Sequence, residues 1–389
     1  MTQSIAELRK RFPVLGKKIY LNSCSQGALS LDVEGGMLEY LRTWHEHGSP
    51  WDLWVEQYEA GRRRFAELIG AEPEEVALVA SASAGVNALA SGLSFQPRSK
   101  VILGEFEFPT MGHIWLAQRP RGADVVFVEA ANNRLSVEAY DALVDRNTLI
   151  VPLTHMCFMN GFRSPVAEIT KIAHDRGALV LLDDYQDCGT RPIDVKAMQI
   201  DAYVSGTLKY LLGPPGLAFM YVRKSIAESL VPTVTGWFGQ KNPFAFDVKL
   251  FDPAPGTRRF ESGTPPIPTI YGALAGVKLL QEFGMQNVAD QIRTLTKALI
   301  GGALDLGIEI KTPLDSVGPL VVLRSKDAEG LVRLFTRQSV ICSSRHDGLR
   351  ISFHAYNNLD DVNYVLQLLQ ENLEMLVTSA AATSAVSEP

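Results

Sequence analysis

Lys209 stands in the run Ser205-Gly206-Thr207-Leu208-Lys209-Tyr210-Leu211-Leu212-Gly213-Pro214-Pro215-Gly216, and Asp183-Asp184-Tyr185-Gln186 lies a short way upstream. A lysine amine becomes a Schiff-base nucleophile when a compact site keeps it partly neutral. A carboxylate at a strand end can hold the pyridinium nitrogen of pyridoxal phosphate (PLP) protonated, which makes that ring an electron sink. Either residue alone reads as a surface lysine before a turn or as an acid at a strand end. Their order is what matters: strand, Asp-x-x-Gln, strand, Ser-x-x-x-Lys, then a Gly-Pro-Pro-Gly hairpin. That order points to PLP.

Elements must bring the two residues together. Within residues 76–222, short apolar runs alternate with helical patterns. Seven runs read as buried strands: 76–79, 101–103, 125–128, 149–151, 178–182, 202–204 and 217–222. Helical spacing of apolar residues separates them, as in 166–175. Runs without polar alternation, spaced by helices, predict a mostly parallel sheet covered on both faces. Ligands of such sheets bind beyond the carboxyl ends of the strands, and Asp183, Ser205 and Lys209 fall there. Residues 236–268 are rich in Pro, Gly and aromatics and read as an ordered loop crossing the cleft. A helix at about 271–283 follows. Strands near 320–323 and 349–353, with helices near 328–338 and 359–376, then predict a small α+β domain. Val340-Ile341-Cys342 reads as a further buried strand.

At 389 residues the chain fits two domains sharing a cleft. The formal net charge is −6, with Lys and Arg scattered, so neither nucleic acid nor an anionic membrane is a favoured partner. Residues 1–13 form a polar helical stretch without the apolar core of a signal peptide. No run is long enough to cross a bilayer. Four widely spaced cysteines form neither a disulfide frame nor a zinc site, and His45 and His47 lack nearby partners for a metal. A reducing cytoplasmic setting is the expectation.

With these motifs assembled, residues from about 19 to about 377 resemble the class V aminotransferase superfamily, the fold-type-I PLP enzymes that include cysteine desulfurases, kynureninases and transaminases. The resemblance implies an α/β fold of type I. Its large domain carries the mostly parallel seven-stranded sheet, and a small α+β domain lies C-terminal. The division implied is an N-terminal segment (1–25) packing on the small domain, a large PLP-binding domain (26–265), the small domain (266–377) and a disordered tail (378–389).

The resemblance also implies roles. Ala82 and Ser83 open a helix after a strand, where free amides and the dipole favour a phosphate; they stand where the family has Gly-Thr-Thr. Phe108, in a Phe-Pro-Thr shared with kynureninases, would stack on the PLP ring, although Phe108 taken alone is a core residue. Asp183 would pair with the pyridinium nitrogen, Gln186 with the ring hydroxyl, and Ser205 with the phosphate. Leu208 replaces the usual His, so Lys209 must supply most proton transfer. Gly236-Trp237-Phe238-Gly239 is kynureninase-like, with Trp237 read equally as a cofactor contact or a packing element. Thr264, in Arg259-Phe260-Glu261-Ser262-Gly263-Thr264-Pro265, would reach the phosphate of a neighbouring subunit, which implies a homodimer with shared sites. Arg350 would clamp the substrate α-carboxylate. His45, in a His-Gly-Trp loop, would contact substrate or simply pack.

PLP weakens any bond at the substrate α-carbon, so the cofactor does not fix the reaction. The expectation is a free amino acid bound as an external aldimine, deprotonated at Cα, and cleaved at Cβ in a kynureninase-like or C–S lyase-like way. Transamination is the alternative, then epimerisation, then a PLP-fold protein without turnover. A desulfurase needs a mobile cysteine before Arg350, and Cys342 in an apolar strand is ordinarily inert.

Overall fold

The computed structural model describes residues 4–379. A short strand β1 (Ile19–Tyr20) precedes the central sheet of β2 (Val76–Val79), β3 (Lys100–Gly104), β4 (Asp124–Val128), β5 (Thr148–Thr154), β6 (Leu179–Asp183), β7 (Ala202–Gly206) and β8 (Ala218–Val222). Their spatial order is β2-β8-β7-β6-β5-β3-β4, and every strand but β8 runs the same way. All seven expected strands are present, extended by one to three residues at some ends and starting one residue later in β6 and β8. The runs are apolar without alternation because helices cover both faces: β2, β7 and β8 are buried along their whole length.

Register aligns the strand ends that matter. Thr154 pairs with Asp183, and Asp183 with Val204, so the carboxyl ends of β5, β6 and β7 open on one edge. Glu261 braces the adjoining part of the sheet. Its Oε1 accepts from Arg62 Nη1 at 2.7 Å and from the Leu78 amide at 3.0 Å. The Arg-Phe-Glu block is thus a buried tie between β2 and the helix Trp51–Ile69.

The C-terminal part builds a second sheet, β11 (Ser343–Arg345), β12 (Gly348–Ser352) and β9 (Leu320–Arg324), in that order and antiparallel. The two-residue strand β10 (Val340–Ile341) pairs in parallel with β1. The N-terminal segment is fastened there at two further points: Arg9 forms an ion pair with Asp361 at 2.8 Å, and Leu21 O accepts from the Ser352 amide at 3.0 Å.

Four expectations need correction. The helix Ile267–Phe283, assigned to the small domain, buries Ile270, Val277 and Leu280 in the core of the large sheet; the long helix Met285–Asp305 begins only after Gly284. The His45–Trp54 stretch is not a loop. His45 ends the helix Leu31–His47, Gly48 (φ 71°) turns the chain, and Trp51 starts the next helix. Residues 236–251 do not cross the Lys209 cleft but fold on the helix Trp51–Ile69, where Trp237 meets Trp51 edge-on at 5.9 Å. The tail is ordered at its start, since Thr378 bridges Ile308 and Ser379 donates to Gly307 O at 2.9 Å. Residues 380–389, the rest of the expected disordered tail, lie outside the described residues.

Candidate active site

A cavity of about 310 Å³ opens at the carboxyl ends of the central strands, as the topology of an open parallel sheet requires. Ser81, Ala82, Ser83, Asp183 and Lys209 all line it. Asp183 ends β6. Its Oδ1 accepts from the Tyr185 amide at 3.0 Å, which fixes the carboxylate. Burial pushes its carboxyl up to about 6, against the Tyr185 hydrogen bond and the Lys209 charge that favour ionisation. Lys209 follows β7. Burial pushes its ammonium down to about 8; Asp183 opposes this, and Arg350 and Arg345 reinforce it. For both groups, loss of hydration outweighs the mutual attraction. The backbone of the Asp183 loop presses on that of Lys209: at Gly189 (φ 96°) a Cβ would lie 2.4 Å from Tyr210 O.

At the opposite end, β2 runs through Ser81 into the helix Ala82–Gly92. Ser81 Oγ accepts from the Ala84 amide at 3.1 Å as an N-cap. The Ser83 hydroxyl meets that of Thr110 at 3.2 Å. Small residues, free amides and hydroxyls suit a phosphate there. Phe108 forms a wall, 47% exposed, with its ring edge-on to Phe158 at 5.1 Å. Gln186 donates from Nε2 to Cys24 O at 3.1 Å, while its buried Oε1 lacks a partner. That leaves an acceptor facing a donor yet to come.

Arg350 lies on β12, opposite Val322 and Ser343. It is 1% exposed and makes no hydrogen bond or ion pair among the described residues; its buried Nε is unpartnered. A buried, unpaired guanidinium is costly unless an anion completes it. Its charge is near enough to Lys209 to disfavour the protonated amine.

Five predicted site residues are not among those lining this cavity: Arg350 and four others. Ser205 is buried, its hydroxyl turned to Asp184 O at 3.5 Å and Gly206 O at 3.4 Å, because the outward-facing position at the end of β7 falls elsewhere. Trp237 donates from Nε1 to Pro243 O at 2.6 Å and packs among Trp51, Phe244 and Phe246. Thr264 and His45 are exposed on the surface of the chain. Conversely, Thr110, Thr154, Met156, Phe158 and Tyr185 line the cavity without having been singled out. Thr110 completes the Phe-Pro-Thr motif and could have been inferred. The others depend on how separate loops meet.

Beneath Asp183 lies a buried charge network. His155 Nδ1 stands 2.7 Å from Asp184 Oδ1, and Tyr203 donates to Asp184 Oδ2 at 2.7 Å. Asp187 takes Arg163 at 2.9 Å and Arg191 at 2.6 Å. Burial raises the Asp187 carboxyl, but Arg163, His155 and Arg191 hold it well below the usual range. His155, Asp184 and Asp187 are close enough to hold a metal. Two guanidiniums already balance the charge, and Arg191 Nη2 faces His155 Nε2 at 2.6 Å. The cluster is a brace for the Asp183 loop.

The residues fit PLP: a partly neutral lysine, a fixed carboxylate, an unmatched amide oxygen and a helix N-terminus surround one slot. Comparison with known proteins agrees. Residues 43–318 match the family model for aminotransferase class-V. An uncharacterized aminotransferase of Bacillus subtilis, YcbU, is 32% identical over 361 residues, covering 92% of this chain and 96% of that one. Kynureninase of Pseudomonas fluorescens is 28% identical, covering 76% of this chain and 73% of that one. In fold, the chain matches the cysteine desulfurase of Thermococcus onnurineus with a TM-score of 0.87 at 22% identity, covering 96% of this chain and all of that one. The cystine C–S lyase C-DES matches at 0.85 and 21%, covering 92% and 99%. From the family match and the slot at Lys209, the chain belongs to the aminotransferase class-V family and is a PLP-dependent enzyme.

Proposed function

We propose that the protein cleaves a substituent from Cβ of a free amino acid, in the manner of a kynureninase or a C–S lyase. The observation that carries this reading is the chemistry of the cavity wall. Beside Lys209 stand Phe108, Met156, Phe158 and Leu208, which suit an apolar or sulfur-bearing leaving group. All four cysteines are buried and free, and burial pushes the Cys342 thiol up to about 12. A thiol so held is a poor sulfur acceptor, which speaks against a cysteine desulfurase. A kynureninase and a C–S lyase stand among the similar proteins.

Bound PLP supplies an electron sink for the pair left at Cα. Asp183 would hold the ring nitrogen protonated, Gln186 Oε1 would accept from the ring hydroxyl, and Phe108 would supply an aromatic wall. Ser83, Thr110 and the amides at Ala82 would hold the phosphate. Arg350 would take the substrate carboxylate in two parallel hydrogen bonds. With Leu208 beside it rather than a histidine, the Lys209 amine takes the α-proton and is the group placed to return it.

The exposed apolar surface of Trp44, Phe246, Val248 and Phe251, together with the exposed Thr264, supports a homodimer in which Thr264 completes the partner's phosphate site. Four unpaired cysteines support a reducing, cytoplasmic setting. Among the described residues, no helix is long and apolar enough to cross a membrane.

The test is a panel of amino acids given to the PLP-loaded protein without any keto acid, assayed for sulfide with pyruvate and for alanine. Sustained release of either product supports Cβ cleavage. Turnover that appears only when a keto acid is added would replace this reading with transamination, the activity in the name of the Bacillus relative.

A further inference from the structure

Tyr185 belongs to the Asp183 loop, and neither the motif nor the roles above assign it a task. Its amide is tied to Asp183 Oδ1, so its ring is positioned by the same turn that positions the carboxylate. The ring lines the cavity. Lys209 Nζ lies 4.5 Å from the Tyr185 ring centroid and 5.8 Å from that of Phe108, within cation–π reach of both. The reactive amine therefore has two aromatic walls.

Gly206 explains how Tyr185 fits. It is the last residue of β7, three before Lys209, and its backbone has no left-handed twist that would call for glycine. The reason is space. A Cβ on Gly206 would fall 2.0 Å from both Cζ and Oη of Tyr185 and 2.3 Å from Cε2. No non-bonded carbon approaches another heavy atom so closely, so any other residue at 206 would evict the phenol. The Tyr185 hydroxyl stands where a side chain of residue 206 would be. Ser205 offers no substitute, since its hydroxyl is turned onto backbone carbonyls. Burial and, next, Asp183 push the phenol up to about 12, so it remains a hydrogen-bond donor throughout the neutral range.

The cavity also lacks a cation to spare. Among the described residues, Lys209 is the only basic one lining it, and its amine is the group that would link to the cofactor and move the α-proton. A phosphate dianion must then be held by amides and hydroxyls. We propose that Tyr185 positions the cofactor: its ring walls the slot beside Lys209, and its hydroxyl, in the place of a residue-206 side chain, donates to the PLP phosphate. This rests on the PLP reading and extends it to a donor that the Ser205 position does not supply.

The experiment measures dissociation constants of PLP and of pyridoxal, which lacks the phosphate, for the apo full-length protein, with melting of each apo variant as a fold control. Wild type must bind PLP more tightly than pyridoxal; failure there is failure of the PLP reading itself. Tyr185→Phe should weaken PLP about ten- to a hundredfold, the loss of one hydrogen bond to a charged group, and leave pyridoxal unchanged. Gly206→Ser should weaken PLP, and Tyr185→Ala/Gly206→Ser should bind it more tightly than Gly206→Ser alone. Unchanged PLP affinity in Tyr185→Phe, or equal loss of PLP and pyridoxal, overturns the phosphate contact. A double variant no better than Gly206→Ser overturns the shared-space argument. Should Gly206→Ser not fold, the Tyr185→Phe comparison decides alone.

Discussion

Asp183 and Lys209 reach one cavity from the ends of neighbouring parallel strands, and burial works against the charge of each, raising the acid to about 6 and lowering the base to about 8. The lysine consequence is kinetic. An amine of ordinary pKa, about 10.4, is almost wholly protonated at neutral pH, whereas one titrating near 8 is neutral in roughly a tenth of molecules at pH 7. The neutral amine is the nucleophile, so PLP capture by the apo protein should accelerate with pH and level off just above 8. Stopped-flow absorbance would read it, with Lys209→Ala giving no borohydride-reducible band. A rate still climbing through pH 10 would remove the depressed lysine.

Much of this site is legible in the sequence. Asp183 and Lys209 follow from strand ends and spacing, because a parallel sheet delivers strand termini to one edge whatever the loops do. Ser205 illustrates the limit. A shift of one residue along a strand reverses the face a side chain takes, and spacing from Lys209 alone does not say which residue of β7 points at the ligand. Tyr185 and Gly206 are 21 residues apart, and their shared volume is a tertiary fact with no periodic signal. His, Gly and Trp around His45 suggest a turn, whereas the helix Leu31–His47 runs up to Gly48. The helix Ile267–Phe283 carries apolar residues on much of its surface, so its sequence cannot say which core it joins.

Arg350 combines a binding role with a stability cost. It is buried without a partner, so a neutral side chain of similar length should relieve the free enzyme while disabling substrate capture. Arg350→Met should raise the melting temperature of the substrate-free protein by a few degrees, about 1 kcal/mol or more. It should also raise KM for the amino-acid substrate about a hundredfold, the loss of about 3 kcal/mol on truncating a buried charge pair. PLP content should not change. A lower melting temperature would mean that the guanidinium is structurally paired, and an unchanged KM would take it out of the site.

Sharing of sites between subunits has its own signature. Thr264 is exposed on its own chain, and the dimer proposal gives it to the partner's phosphate. Neither Lys209→Ala nor Thr264→Val homodimers should then work well. When the two variants are co-expressed with different tags and the mixed dimer is isolated, one of its two sites has both residues intact. That dimer should show about half the wild-type activity per dimer, because one of its two sites is intact. Mixed dimers no more active than the better parent would place Thr264 outside the partner's site.

Glu107 offers a test of burial that does not involve the reaction. Its Oε1 accepts from the Thr154 amide at 2.6 Å, while Oε2 is buried without a partner. Burial first, and Asp183 second, hold its carboxyl well above the usual range, so the folded protein keeps a proton that the unfolded chain releases at about pH 4. Stability is fully present below that pH and is lost as pH rises toward the folded-state pKa, by about 1.4 kcal/mol per unit. Glu107→Gln retains an acceptor for Thr154 and cannot ionise. Near pH 4 it should melt close to wild type. As pH rises from 5 to 8 it should melt progressively above wild type, the gap widening because only the wild type must hold its proton against solvent. Urea or thermal melts across that range check the sign. A gap that is constant with pH, or that narrows toward pH 8, would mean that Glu107 is ionised in the folded protein and that Asp183 sits beside a second negative charge.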